Sequence, residues 1–255
     1  MKTLKLHGKS VHHGSLVLVN RDWPLKTEPD EGSLMPLECG REAAMLERQA
    51  AKMLDKTMAA INGGGDIVAI SGFRTTREQR RIYNKSLREN GRQFTRDYVA
   101  MPGCSEHQTG LAVDLALNGA DIDFIRPDFP YEGVCQRFRE KAADYGFIER
   151  YPAGREHITH IAHEPWHFRY VGYPHSRIIT NSGITLEEYM DDIRQHDFLR
   201  NRLAFRGNGP RCEIGFISSS DTAMEVPVPD CAAYQFSGNN MDGVVVTLWE
   251  IGSEQ

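Results

Sequence analysis

A chain of 255 residues with 40% hydrophobic and 25% charged side chains can bury a substantial core and has the balance of a water-soluble globular protein. Its formal charge of −5 gives no basis for a nucleic-acid surface. No apolar run reaches the roughly 20 residues that a membrane span needs, so no transmembrane segment is expected. The opening "MKTLKLHGKSVHHGSLVLVN" has histidines where a secretory leader carries its apolar segment. The five cysteines are scattered, odd in number and without a CxxC pair, which argues against a disulfide framework or a cysteine metal site. Reduced thiols and the missing leader together point to the cytoplasm.

In chain order, residues 41–61, "REAAMLERQAAKMLDKTMAAI", bring Leu46, Ala50, Met53, Leu54, Met58 and Ile61 onto one stripe and predict an amphipathic helix. "NGGGD" ends it, because glycine takes the left-handed cap conformation cheaply. "IVAISGF" (67–73) reads as a short buried strand. Thr75 and Glu78 form a capping box opening a helix over "REQRRIYNKSLREN", which Gly91 ends. Residues 111–117 alternate Leu111, Val113, Leu115 and Leu117 with Ala112, Asp114 and Ala116. That is strand periodicity, and it puts Asp114 opposite the bulky side chains, between two alanines that leave space around it.

A third helix is expected over 132–145, through Val134, Phe138, Ala142 and Tyr145, closed by Gly146. "HITHIAHEPWHFRYVG" (157–172) reads as extended chain interrupted by Pro165, and "TLEEYMDDIRQH" (185–196) as a short acidic helix with a solvated face. Beyond about residue 200 come short β-rich runs, with Asn239 to Gly243 as a hairpin turn. Helices and strands mix without regular βαβ alternation, so the expected class is α+β. The expected organisation is a compact domain over 1–198 (core about 40–195), a small antiparallel sheet flanked by helices, followed by a small β-rich extension over 199–255.

Two clusters carry chemistry. "GCSEHQTGLAVDL" holds His107 and Asp114, and "HEPWHFRY" holds Glu164 and His167 three positions apart. A loop histidine alone is more often a hydrogen-bonded surface group, and a buried aspartate alone more often caps a turn. Together, two imidazoles and one carboxylate leave an open fourth position on a zinc ion, as catalytic sites require. Zinc lowers the pKa of a bound water toward about 7. Glu164 is the candidate to take that water's proton and pass it to a leaving amine. Arg74, at the end of "SGFR", cannot lose its charge and suits a developing oxyanion. These parts describe peptide hydrolysis.

"SGFRTTREQ", "GCSEHQTGLAVDL" and "EPWHFRYVG" resemble the three signature stretches of the VanY/VanX group of zinc D,D-peptidases, and within it the bifunctional VanXY type. The similarity runs over roughly residues 40–195. It implies that His107, Asp114 and His167 ligate Zn2+, that Glu164 is the base and that Arg74 stabilises the transition state. Gln79 and Ser105 match positions near the bound substrate. The implied activity is removal of the terminal D-alanine from peptidoglycan precursors ending in D-Ala-D-Ala. The VanXY type also cleaves the free dipeptide, which deprives vancomycin of its target, and it works in the cytosol. Two other functions use the same parts: a peptidoglycan L,D-endopeptidase, and a non-catalytic module that binds the peptidoglycan stem. His160 and His163 depart from the group's pattern, and the extension after residue 200 lies outside it.

Overall fold

The structure, a computed structural model, describes residues 2–41, 44–119, 121–207, 209–219, 224–230 and 232–250. Its elements in chain order are β1 (Lys2–Leu6), β2 (Leu34–Pro36), β3 (Met45–Glu47), α1 (Arg48–Ala60), β4 (Ile67–Ser71), α2 (Thr76–Glu89), α3 (Gly91–Tyr98) and β5 (Ala112–Leu117). They continue with α4 (Gly133–Ala142), β6 (Phe147–Tyr151), α5 (Glu156–Thr159), β7 (Glu164–Tyr170), α6 (His175–Ser182) and α7 (Leu186–Ile193). Five strands close the chain: β8 (Leu203–Phe205), β9 (Cys212–Ser218), β10 (Met224–Val228), β11 (Ala232–Gly238) and β12 (Gly243–Glu250). The class is α+β, as expected.

The chain divides into two compact units, Val19–Thr185 and Met1–Leu18 with Leu186–Gln255. The boundary drawn from sequence at residue 198 leaves β1 and α7 with the first domain, whereas here both belong with the β-rich part. In that part β1 pairs antiparallel with β10, Leu4 opposite Val226. Leu4, Leu6, Val226 and Val228 then share an apolar cluster with Val244, Val246 and Leu248 of β12. A second sheet runs in the order β11-β12-β9-β8. The hairpin at Asn239 forms as predicted: its Oδ1 accepts from the backbone N–H of Met241, Asp242 and Gly243 at 2.9, 3.0 and 3.1 Å. Asn240 takes the left-handed conformation such turns require, with φ 64°.

The larger unit is built on an antiparallel sheet ordered β4-β5-β7-β6. Phe168 of β7 packs edge-on against Phe129 and Phe138, ring centroids 5.4 and 4.8 Å away, which anchors α4 beneath the sheet. The helix expected over 41–61 is shorter at its start; residues 42 and 43 lie outside the described residues. Met45–Glu47 pairs as β3 with β2, and α1 begins only where the Glu47 carboxylate caps the N–H groups of Gln49 and Ala50. The capping box opens α2 as expected, with the Thr75 N–H donating to Glu78 at 2.8 Å. Gly91 stops that helix and at once begins another, α3, which sequence pattern did not predict. The apolar face of α3 is short, Phe94 and Tyr98 one turn apart with ring centroids 4.8 Å from each other, and the buried Ser86 and Thr95 hydroxyls, 2.7 Å apart, tie the helix to α2. Pro165 does not interrupt β7. Pairing with β5 covers only His167 to Arg169, so the missing N–H of proline falls beyond that ladder.

Candidate active site

Register sets the site. β5 pairs with β7 so that Asp114 lies directly opposite His167, and both side chains leave the sheet on one face. β4 joins from the other side, with Ser71 opposite Asp114 after an irregularity between Ala69 and Ser71. Such a bulge re-aims the strand end, here the segment leading to Arg74. His107 enters from the 3-10 turn over Glu106–Thr109, and Gly110, with φ 71°, returns the chain into β5.

His107, Asp114 and His167 are all buried, and one ligand atom from each lies within 4.8 Å of the others. His107 Nδ1 is 2.7 Å from the Gly72 carbonyl, which leaves Nε2 to face Asp114 Oδ2 at 3.1 Å. His167 turns Nδ1 to Asp114 Oδ1 at 3.0 Å and Nε2 toward Glu106 Oε2 at 3.6 Å. Each ring thus has one nitrogen for a protein acceptor and one for the common point, the arrangement in which outer groups fix the tautomer of a metal-bound histidine. Around an ion with bonds of about 2.1 Å, tetrahedral donors sit roughly 3.4 Å apart, close to the 3.1 and 3.0 Å between the histidine nitrogens and the Asp114 carboxylate. Cys104 is outside this group.

Glu106 is the largest omission of the sequence reading. Its side chain is fully buried, and Oε1 accepts from Arg150 Nε at 2.8 Å and Arg169 Nη1 at 2.9 Å. Oε2 and His167 Nε2 are both buried with no hydrogen-bond partner and face each other. Burial opposes its charge, but the two guanidinium groups hold its carboxyl far below the usual carboxylate range. Its place directly before His107 was the available signal in the sequence; its burial and its two arginines were not legible there.

Glu164 lies at the start of β7, 7% exposed, with Oε2 3.6 Å from His167 Nδ1. It has no guanidinium clasp comparable to that of Glu106, and burial pushes its carboxyl up to about 8. Burial alone would lower His167, but the Asp114 and Glu106 carboxylates beside it carry it up to about 9. Asp114 is held well below its ordinary value, against the effect of burial, by the two histidines.

Arg74 donates from Nε and Nη2 to Ser71 Oγ at 2.9 and 2.7 Å, and from Nη2 to Asp114 Oδ2 at 2.9 Å. Nη1 donates to Gln79 Oε1 at 3.4 Å, and Gln79 in turn donates to the Ala100 carbonyl at 2.8 Å. These bonds use all but a single N–H of the guanidinium. Gln79, 1% exposed, is therefore a brace for Arg74. Ser105 is buried at the head of the 3-10 turn, makes no cap bond to it, and lines the cavity. That cavity, about 320 Å³, collects every residue singled out from sequence: Arg74, Gln79, Ser105, His107, Asp114, Glu164 and His167. Trp166, Phe124 and Ile125 also line it. His163 meets Tyr131 Oη at 2.7 Å and Glu149 at 3.6 Å.

A structural metal closes its coordination with protein donors, whereas three donors beside a cavity and an unclasped buried carboxylate belong to a metal-dependent hydrolase. Comparison with known proteins gives the family: residues 43–173 match VanY, D-alanyl-D-alanine carboxypeptidase, and the chain belongs to it. It is 42% identical over 182 residues to the bifunctional D-Ala-D-Ala dipeptidase and D-Ala-D-Ala carboxypeptidase VanXYC of Enterococcus gallinarum, covering 71% of this chain and 96% of the relative. Among solved structures it is similar to the vancomycin resistance D,D-dipeptidase VanXYg in complex with a D-Ala-D-Ala phosphinate analog. That match has a TM-score of 0.93 and 46% identity and covers 98% of this chain and 99% of the other, so the β-rich part has a counterpart there. A VanY D,D-pentapeptidase from a VanB-type resistance cassette, in complex with Zn(II), matches at 31% identity and a TM-score of 0.57, over 69% of this chain and 98% of its own.

Proposed function

We propose that this protein is a zinc-dependent D,D-carboxypeptidase that removes the terminal D-alanine from peptides ending in D-Ala-D-Ala, and that it also hydrolyses the free dipeptide. The observation that carries this reading is the buried His107, Asp114 and His167 cluster beside the unclasped Glu164 in one cavity. The dipeptidase half is supported by the likeness to the two bifunctional or dipeptidase relatives over most of their length.

In this reading His107, Asp114 and His167 hold the ion. Bound there, zinc would polarise the scissile carbonyl and lower the pKa of an attacking water. Glu164 accepts that water's proton and delivers it to the departing amine; burial favours the protonated carboxyl that the second transfer needs, and the charge of an ion held beside it would favour the ionised form that the first needs. Arg74, braced by Ser71 and Gln79, supplies positive charge where the carbonyl oxygen becomes negative. Ser105 and the backbone N–H groups around it serve the terminal carboxylate. Cytoplasmic action belongs to the same reading, and the free thiols of Cys39, Cys104, Cys135 and Cys212 suit a reducing compartment.

The test is D-alanine release from an acylated D-Ala-D-Ala peptide and from free D-Ala-D-Ala, with and without chelator. Chelator-sensitive release from both is expected. Release from the acylated peptide alone removes the dipeptidase half, and release from neither by zinc-loaded protein overturns the proposal.

A further inference from the structure

A second cavity, about 490 Å³, adjoins the catalytic one and shares Val99, Ala100, Tyr151 and Ile161 with it. Tyr151 ties the two together, since its ring centroid is 4.9 Å from that of His167. The character of the second cavity is different. Arg21, Arg92, Arg96 and His160 line it, and no aspartate or glutamate does, in a chain whose formal charge is −5. Little neutralises these groups. Arg92 has no hydrogen bond or ion pair among the described residues. Among the described residues Arg96 meets only its neighbour Asp97, at 3.5 Å on the surface, a contact worth little in water. Arg21 donates to the His160 carbonyl at 3.3 Å, which draws a guanidinium to the cavity wall without cancelling its charge. His160, one of the two histidines that depart from the family pattern, holds this wall at φ 61°, a conformation glycine adopts more cheaply.

Guanidinium groups gathered with little counter-charge beside a reaction site raise the local concentration of anions. Guanidinium forks in particular match carboxylate and phosphate. The second cavity holds none of the catalytic side chains, so a bare dipeptide occupying the first leaves it empty. We propose that it receives the N-terminal, acyl part of an extended substrate, and that Arg92, Arg96 and Arg21 recognise carboxylate or phosphate groups on that part. This rests on the D-Ala-D-Ala reading above and adds to it the feature that separates extended peptides from the free dipeptide.

The experiment compares the zinc-loaded wild type with Arg92→Ala/Arg96→Ala on three substrates. These are an acyl-D-Ala-D-Ala peptide bearing an upstream carboxylate, the same peptide with that carboxylate amidated, and free D-Ala-D-Ala. The expected result is a fall of about tenfold in kcat/KM on the carboxylate peptide, carried by KM. The amidated peptide and the free dipeptide should stay within about twofold, a change worth only a few tenths of a kcal/mol. An equal fall on all three, or no fall on the carboxylate peptide, overturns the proposal. So does a result in which inorganic phosphate alters dipeptide turnover by wild type, is silent in the double variant, and substrate carboxylate makes no difference, since the cavity then serves a separate anion. Calorimetric titration with the acyl-D-alanine product, with and without its upstream carboxylate, reads the same cavity without turnover. Should the wild type hydrolyse none of the substrates while the carboxylate product binds more tightly to wild type than to the variant, the peptidase reading fails and the anion site stands.

Discussion

Two buried glutamates, Glu106 and Glu164, sit on either side of His167 and differ through their neighbours alone. Glu106 lies between Arg150 and Arg169 and stays ionised; Glu164 lacks that clasp and binds its proton readily. They should respond differently to substitution. Glu164→Ala is expected to lower kcat by at least about 10²-fold while metal content, read by atomic absorption, is unchanged. Lost metal in that variant would make Glu164 a ligand or a support. Glu106→Gln leaves two buried guanidinium groups short of a counter-charge, so unfolding free energy should drop by about 3–5 kcal/mol in denaturant titration. The same change should weaken metal affinity about 10- to 100-fold, since it removes the carboxylate that faces the outer nitrogen of His167.

Each segment around the site has a local device that holds it. Gly110 separates His107 from Asp114 at φ 71°, and a Cβ there would come 3.0 Å from Leu34 Cδ2 and 3.3 Å from the Glu47 nitrogen. Gly110→Ala should cost roughly 1–2 kcal/mol of stability from the left-handed backbone. Metal affinity should fall with it, because the ring of His107 and the start of β5 cannot then keep their spacing; unchanged affinity would show that the turn does not set that spacing. Thr75→Ala removes the cap of α2 and should cost about 1 kcal/mol by thermal unfolding. The capping box was legible from its two residues three apart. α3 was not, because its apolar face is only Phe94 and Tyr98, one turn of periodicity and too short a signal to separate it from the helix before it. The true start of α1 was hidden for a similar reason: apolar Leu46 satisfies a helix stripe, yet strand pairing across β2 claims it.

For the molecule as a whole, acid sensitivity has a source away from the site. His175, buried at the start of α6, is pushed down to about 3 by burial. Below its ordinary value of 6.5 the unfolded chain takes up a proton that the folded chain refuses. That contribution to stability is complete above pH 6.5 and is lost as the pH falls toward about 3. His175→Gln should flatten the stability–pH curve across that window in urea titrations, by up to about 1.4 kcal/mol per pH unit. Parallel curves for the two proteins would locate the acid sensitivity elsewhere. Among the described residues no helix is long and apolar enough to cross a membrane.

The sequence by itself determined the α+β class, the alternating strand that presents Asp114, the capping box of α2, the Asn239 hairpin and the residues that gather in the catalytic cavity. The class, the strand, the cap and the hairpin are carried by short-range periodicity and turn chemistry within a few residues of one another, whereas the site residues, spread from Arg74 to His167, were named by the resemblance of three motifs to a known family. Tertiary structure decided what depends on distant segments meeting. It put Asp114 opposite His167 through strand register, brought Arg150 and Arg169 around Glu106, and set Gln79 against Arg74. It also grouped the first strand with the C-terminal strands, since β1 has no partner until β10 arrives from the far end of the chain. The physical reason is common to all of these. A charge buried among distant partners, or a strand completed by a remote one, leaves no periodic trace in the segment that carries it.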